Sequence, residues 1–94
     1  MNPAMKQLGY QQITSLSSAT ALTVPAGTAL AIVIPQTQAV RWRDDGTNPS
    51  STVGYPLAVG QELYYDSASI GALKFIEQTA SAAINVCYYG FPAG

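Results

Sequence analysis

The sequence contains no histidine and few charged residues of either sign. Among 94 residues, Lys and Arg together number 4, and Asp and Glu together number 5. Charged residues thus make up 10% of the chain, and its net charge is −1. An average soluble domain has about 25% charged residues. Without histidine, the commonest general bases and zinc sites are excluded. The four scattered cations also argue against nucleic acid as a partner, because phosphate contacts need several Lys or Arg together.

Cysteine and long hydrophobic segments are also scarce. Cys87 is the single cysteine, so no disulfide forms within the chain, and we interpret it as an inert residue on a sheet face. The longest apolar run, residues 29–34, has six residues, whereas a membrane-spanning helix needs about 20. We expect no membrane segment and no secretory signal, and we place the protein in a cytoplasm or in a particle assembled there.

What the sequence does contain is a series of short β-strand-like segments. Turn signals rich in Gly, Pro, Asn, Asp and Ser separate these segments about every 8–12 residues. This spacing predicts one all-β domain over residues 1–94, a small antiparallel β-sandwich or jelly-roll-like barrel of seven to eight short strands. Residues 1–7 are predicted to form a flexible N-terminal arm.

Individual segments give more specific predictions. Residues 5–16 are interpreted as a strand with a bulge at Gly9. Residues 29–34, rich in β-branched side chains and close to a proline at either end, are expected to be buried on both faces. In residues 53–57, Pro56 indicates an edge strand, because proline cannot donate the hydrogen bond that an inner strand needs.

Four side chains are assigned to the core. A small sandwich usually needs one large aromatic ring at its centre, and the only tryptophan is the obvious choice. Apolar character and alternation along the predicted strands supply the others. The predicted core residues are Trp42, Ile32, Phe75 and Val86.

The segment 40–46 is the most charged part of the chain, with four of its nine charged residues. Arg41 and Arg43 share one face of the predicted strand. They either pair with nearby carboxylates or face another subunit, where guanidinium groups suit ion pairs, and pairing within the chain is favoured. If they face a subunit, reversing their charges should spare the fold and abolish assembly.

Tyrosine is unusually frequent, with six copies. The pairs at 64–65 and 88–89 must each place one ring inward and one outward, because side chains alternate along a strand. Outward tyrosines predict a contact patch for a protein, or a platform on which sugars stack. The candidate interface residues are Arg41, Arg43, Asp44, Asp45, Tyr55, Tyr65 and Tyr89.

No segment carries a catalytic or cofactor-binding pattern. There is no nucleophile elbow and no Ser-x-x-Lys motif, and the acidic residues from Glu62 to Glu77 lie in or beside turns that nothing brings together. Residues 44–48 lack the spacing and distal glutamate of a calcium loop. We therefore expect a non-enzymatic protein without cofactor or metal. A chain of 94 residues can bury only a small hydrophobic core. Because association adds stability to such a chain, we also expect a homo-oligomer.

Residues 39–89, about half of the chain, carry a resemblance to known proteins. The matching groups are Ala39-Val40-Arg41-Trp42-Arg43-Asp44-Asp45-Gly46-Thr47-Asn48-Pro49, Val53-Gly54-Tyr55-Pro56-Leu57, Gly60, Leu73-Lys74-Phe75-Ile76-Glu77-Gln78 and Ile84-Asn85-Val86-Cys87-Tyr88-Tyr89. In this order they resemble small virion proteins of tailed bacteriophages, which accompany the major capsid protein.

The resemblance implies a β-sandwich used in the virion, without catalytic or cofactor residues. The leading expectation is a capsid decoration (cement) protein that binds the major capsid lattice. Two alternatives stay open. One is a component of the tail, neck or fibre, and the other is a carbohydrate- or receptor-binding module that uses surface tyrosines.

Overall fold

The computed structural model describes residues 4–66 and 68–91. In these residues eight strands form two four-stranded antiparallel sheets around a common core, which confirms the predicted all-β sandwich. The elements are β1 (Lys6–Ile13), β2 (Thr20–Ala21), β3 (Thr28–Gln36), β4 (Val40–Arg43), β5 (Tyr55–Leu57), β6 (Leu63–Tyr65), a 3₁₀ helix (Ala68–Ala72), β7 (Lys74–Glu77) and β8 (Ala83–Gly90).

The two sheets differ in the length of their strands. The first sheet has the order β1-β8-β3-β6 and contains the three longest strands, of eight or nine residues. The second has the order β2-β7-β4-β5, with edge strands of only two and three residues. The edge position of β5 confirms the prediction from Pro56. Short edges expose few unpaired backbone groups to other chains.

The predicted bulge in β1 is confirmed. Gln7 pairs with Tyr89 and Gly9 pairs with Tyr88, so that Leu8 is the extra residue in β1. A Cβ at Gly9 would lie 3.6 Å from the Pro25 Cγ, an ordinary van der Waals distance, so the packing of Pro25 does not itself require glycine at this position. β1 begins at Lys6, so the last two residues of the predicted arm belong to the sheet, while residues 1–3 lie outside the described residues.

The hydrophobic core lies between the sheets. Phe75 and Val86 have no exposed surface, as predicted. The Tyr88 ring is also buried, its hydroxyl donates to Gln11 Oε1 at 2.7 Å, and burial raises the pKa of Tyr88 to about 12. The core cluster comprises Ile13, Leu16, Ala31, Val33, Val40, Leu57, Tyr65, Ile70, Leu73, Phe75, Ala82, Ile84, Val86 and Tyr88.

The core assignment of Ile32 is wrong. Ala31 and Val33 turn inward with 0% of their surface exposed, so the alternation of the strand places Ile32 on the outer face, where it is half-buried. Residues 29–34 are therefore buried on one face only. In an all-apolar run the sequence does not show which set of side chains faces the other sheet.

The interface assignment of Tyr65 is also wrong. Tyr65 is 8% exposed and belongs to the core, whereas its neighbour Tyr64 points outward with 59% exposed. The Tyr65 hydroxyl donates a hydrogen bond to the carboxylate of Asp44.

Trp42 is half-buried and packs against the core cluster, so it borders the core and does not fill its centre.

Two candidate binding surfaces

The outer face of the first sheet carries a row of uncharged side chains across all four strands. The register pairs Tyr10 with Cys87, Cys87 with Ile32, and Ile32 with Tyr64. Tyr10 and Tyr64, at the two edges, are 58% and 59% exposed, and the two middle residues are half-buried. The row therefore has a large aromatic ring at each end and smaller side chains between them.

The neighbouring rows have the same character. They consist of Gln7, Tyr89 and Leu30 on one side and of Gln12, Asn85 and Ile34 on the other. We call these three rows the tyrosine face, and none of its ten side chains is charged. The face mixes aromatic and aliphatic side chains with three amides, so covering it buries no charge, but its amides need hydrogen-bond partners.

Polar groups on the tyrosine face are bonded to one another. Asn85 Oδ1 accepts from the hydroxyl of Tyr10 and, at 3.2 Å, from Gln12 Nε2. The Asn85 amide donates to Gln36 Oε1 at 2.7 Å. At the far edge, the Tyr64 hydroxyl donates to Glu62 Oε1 at 3.1 Å, and this hydrogen bond raises the pKa of Tyr64. Because these groups are already paired, covering the face leaves few of them unsatisfied.

A second surface is a cleft between the end of β4 and the start of β5. Its volume is about 310 Å³, and we call it the Arg–Asp cleft. The lining residues are Arg43, Asp44, Asp45, Val53, Gly54 and Tyr55. The cleft therefore combines three charged side chains, an aromatic ring and an aliphatic side chain.

Arg43 and Asp45 form a two-pronged ion pair in this cleft. Arg43 Nη2 lies 2.5 Å from Asp45 Oδ2, and Arg43 Nε donates to Asp45 Oδ1 at 3.1 Å. This hydrogen bonding lowers the pKa of Asp45 and raises the pKa of Arg43. The backbone N–H of Thr47 also donates to Asp45 Oδ1 at 3.3 Å. The pairing within the chain that the sequence favoured is thus present for Arg43.

Arg41 has a different partner from the carboxylates that the sequence suggested. Its Nη1 donates to the carbonyl oxygen of Gly54 at 2.8 Å, and its Nε is buried without a hydrogen-bond partner in residues 4–66 and 68–91. Gly54 has φ +138°, and a Cβ there would lie 3.1 Å from the Trp42 carbonyl oxygen and 3.2 Å from Pro49 Cβ. Glycine at position 54 therefore allows this segment to lie close to Trp42 and Pro49. There the Gly54 carbonyl oxygen, on the wall of the cleft, accepts the hydrogen bond from Arg41.

The aromatic wall of the cleft is the ring of Tyr55, which is 62% exposed. Its centroid lies 4.9 Å from that of Trp42 with an interplanar angle of 38°. Trp42 in turn meets Tyr65 edge-on, with centroids 6.0 Å apart at 82°. The exposed ring is consequently backed by half-buried and buried aromatic rings.

The structure divides the predicted interface residues among several places. Arg43, Asp44, Asp45 and Tyr55 come together in the cleft, and Arg41 lies beside them. The remaining two do not join them, since Tyr89 is on the tyrosine face and Tyr65 is in the core.

Sequence reasoning missed the rest of the tyrosine face. Tyr10 and Tyr64 lie far apart in the sequence and share a row only because β8 and β3 lie between their strands. The doublet at 64–65 does signal one outward ring. Nothing in the sequence shows which of its two rings that is.

Neither a metal site nor a membrane-spanning helix is found in the described part of the chain. No three His, Cys, Asp or Glu residues among 4–66 and 68–91 form a group that could hold a metal ion. No helix in the same residues is both long and apolar enough to cross a membrane.

Comparison with known proteins finds no family model, no curated protein and no solved structure that matches the chain significantly. Function is therefore inferred from the two surfaces and from the sequence.

Arg41 and Arg43 are expected to differ in their tolerance of charge reversal. Arg43→Glu removes an ion pair at the surface, which usually contributes little, so the free energy of unfolding should stay near that of the wild type. Arg41→Glu removes the donor to Gly54 and brings a carboxylate towards a carbonyl oxygen. We expect it to lower the free energy of unfolding by about 1–3 kcal/mol. Urea unfolding measures both variants, and equal stabilities would contradict the difference in their surroundings.

Proposed function

We propose that this protein is a non-enzymatic structural protein of a bacteriophage virion, a capsid decoration protein that binds the major capsid lattice. The observation that carries the proposal is the tyrosine face, whose ten side chains are uncharged and which Glu62 borders at one edge. Tyrosine is enriched in the centres of protein interfaces, and charged residues are depleted there. The sequence resemblance to small phage virion proteins supports the same role.

The size of the tyrosine face is suitable for such a contact. Four strands about 4.8 Å apart, with three of them about 27 Å long, present roughly 400–500 Å². Covering that area on both partners gives about 1,000 Å², the lower limit for a specific interface. A single contact of this size is weak, but copies linked to one another or to a repeating lattice gain avidity. This argues for the homo-oligomer that we also propose.

The copy number of the protein in purified virions tests the role directly. Quantitative mass spectrometry is expected to find hundreds of copies per particle, as a shell component requires. A handful of copies would place the protein in the neck, tail or fibre. Absence from the particle would contradict every structural role in the virion.

A charge placed on the tyrosine face should block binding to the capsid. In Ile32→Lys the free protein can keep the ammonium group in water while the stem packs on the sheet, so the fold should be retained. Docking would bury that charge unpaired, and we expect binding weakened by about a hundredfold or more. Co-sedimentation with particles that lack the protein measures the effect.

Val59→Lys is the matched control, because Val59 is 53% exposed and belongs to neither surface. It should bind as the wild type does. If Ile32→Lys is folded, as judged by its thermal unfolding, and still binds normally, the tyrosine face is not the contact.

A further inference from the structure

The Arg–Asp cleft offers a fixed aromatic platform. Tyr55 lines the cleft and is 62% exposed, yet its ring lies against Trp42 with centroids 4.9 Å apart. An aromatic ring held in this way presents a rigid apolar surface to a flat ligand and loses little conformational entropy on binding. Sugar rings, with their C–H faces, and aromatic rings are the ligands that stack on such a surface.

The charges of the cleft decide which of these ligands fits. Arg43 contributes +1 and the two aspartates −2, so the lining carries a net charge of −1. Arg43 is already engaged by Asp45 through two hydrogen bonds. A phosphate or carboxylate would therefore meet two carboxylates and a cation that is already paired. A neutral ligand can donate hydroxyl protons to the carboxylates, whose oxygens each have two acceptor positions.

The polar groups are held in place before any ligand arrives. Asp44 accepts from the buried Tyr65 hydroxyl, and Asp45 accepts from the backbone of Thr47. The opposite wall is fixed by the hydrogen bond from Arg41 Nη1 to the Gly54 carbonyl, 2.8 Å long. Groups that need no rearrangement make binding less costly in entropy.

From this platform, these charges and this rigidity, we infer that the Arg–Asp cleft binds a neutral saccharide. Its volume of about 310 Å³ is at the small end of the range for ligand pockets, which suits one or two sugar rings. One ring stacks on Tyr55 while its hydroxyl groups reach Asp44 and Asp45. The site is separate from the tyrosine face, so the inference does not rest on capsid binding.

Trp42 provides a built-in reporter for this binding. It is the only tryptophan of the chain, and its ring contacts the Tyr55 ring. A ligand that stacks on Tyr55 should therefore change the fluorescence of Trp42. The wild-type protein is titrated with glucose, galactose, mannose, N-acetylglucosamine, lactose and maltose at millimolar concentrations. At least one neutral saccharide is expected to give a saturable change. Glucose 6-phosphate and N-acetylneuraminic acid, which are anionic, are expected to give none.

Two variants assign the binding to the cleft. Tyr55→Ala removes the platform and should weaken the affinity by about tenfold or more, measured by calorimetry because the variant also changes the surroundings of Trp42. Asp45→Asn keeps the shape of the cleft and should weaken the affinity as well. Tyr64→Ala is the matched control, since Tyr64 is equally exposed at 59% but lies on the other sheet. It should bind as the wild type does.

Three outcomes would overturn the inference. They are no response to any neutral saccharide in the panel, a saturable response that survives Tyr55→Ala unchanged, and a preference for the anionic sugars. These assays use the protein without virions. A negative result therefore leaves capsid binding untouched, and failure of capsid binding leaves the saccharide site untouched.

Discussion

Phe75→Ala is expected to lower the free energy of unfolding by about 3–5 kcal/mol. The Phe75 ring has no exposed surface and points into the core from β7, an inner strand of the second sheet. β7 is paired on both sides, with Phe75 opposite Thr20 on one neighbour and opposite Trp42 on the other. The backbone therefore has little freedom to collapse into the cavity. Urea unfolding followed by circular dichroism measures the loss.

The control for this prediction is Tyr64→Ala, which truncates an aromatic ring that is 59% exposed. Its unfolding free energy should change by no more than about 0.5 kcal/mol, as for most surface substitutions. A small domain has only about 5–15 kcal/mol in total, so the contrast should be plain in the midpoint of unfolding. Similar losses in both variants would mean that Phe75 does not fill a rigid core.

Gly90→Ala is also expected to lower the free energy of unfolding. Phe75→Ala leaves a cavity, whereas Gly90→Ala adds an atom where there is no room for it. A Cβ at Gly90 would lie 2.3 Å from the carbonyl oxygen of Gly27 and 2.8 Å from Leu8 Cδ1. The leucine side chain can move, but the Gly27 carbonyl belongs to the backbone just before β3, where Thr28 pairs with Gly90. Strands must shift to make room, and we expect a loss of about 1–3 kcal/mol or more.

Gly71→Ala is the matched control for Gly90→Ala. A Cβ at Gly71 would have no heavy atom within 4 Å, and its φ is not in the left-handed region. Its stability should equal that of the wild type or slightly exceed it, because alanine reduces the entropy of the unfolded chain. Amide exchange in β8 locates the damage in Gly90→Ala. Unchanged protection there, together with wild-type stability, would contradict the close approach at Gly27.

Features that depend on a single residue's backbone chemistry could be predicted from the sequence. Pro56 lacks an N–H, which is compatible with an edge strand, and β5 lies at the edge. Gly9, a residue without a side chain inside an otherwise strand-like segment, marks the bulge in β1. Alternation also supplied the core position of Val86 in β8, whose side chain has no exposed surface.

Features that depend on which strands are neighbours could not be predicted. The run at 29–34 has no alternation, so the inward turn of Ala31 and Val33 shows only once the second sheet is placed. The Arg–Asp cleft exists because Trp42 pairs with Tyr55 across β4 and β5. That pairing brings the charged end of β4 beside an aromatic ring twelve positions away. The tyrosine face likewise needs the full strand order.

The place of β8 in the first sheet has a consequence for the synthesis of the protein. β8 lies between β1 and β3, so these strands cannot join until residues 83–90 have left the ribosome. A nascent chain that lacks β8 leaves β1 without its neighbour and β3 with only three-residue β6. Such non-local pairing slows folding. The growing chain should therefore need protection from aggregation until residues 83–90 have emerged from the ribosome.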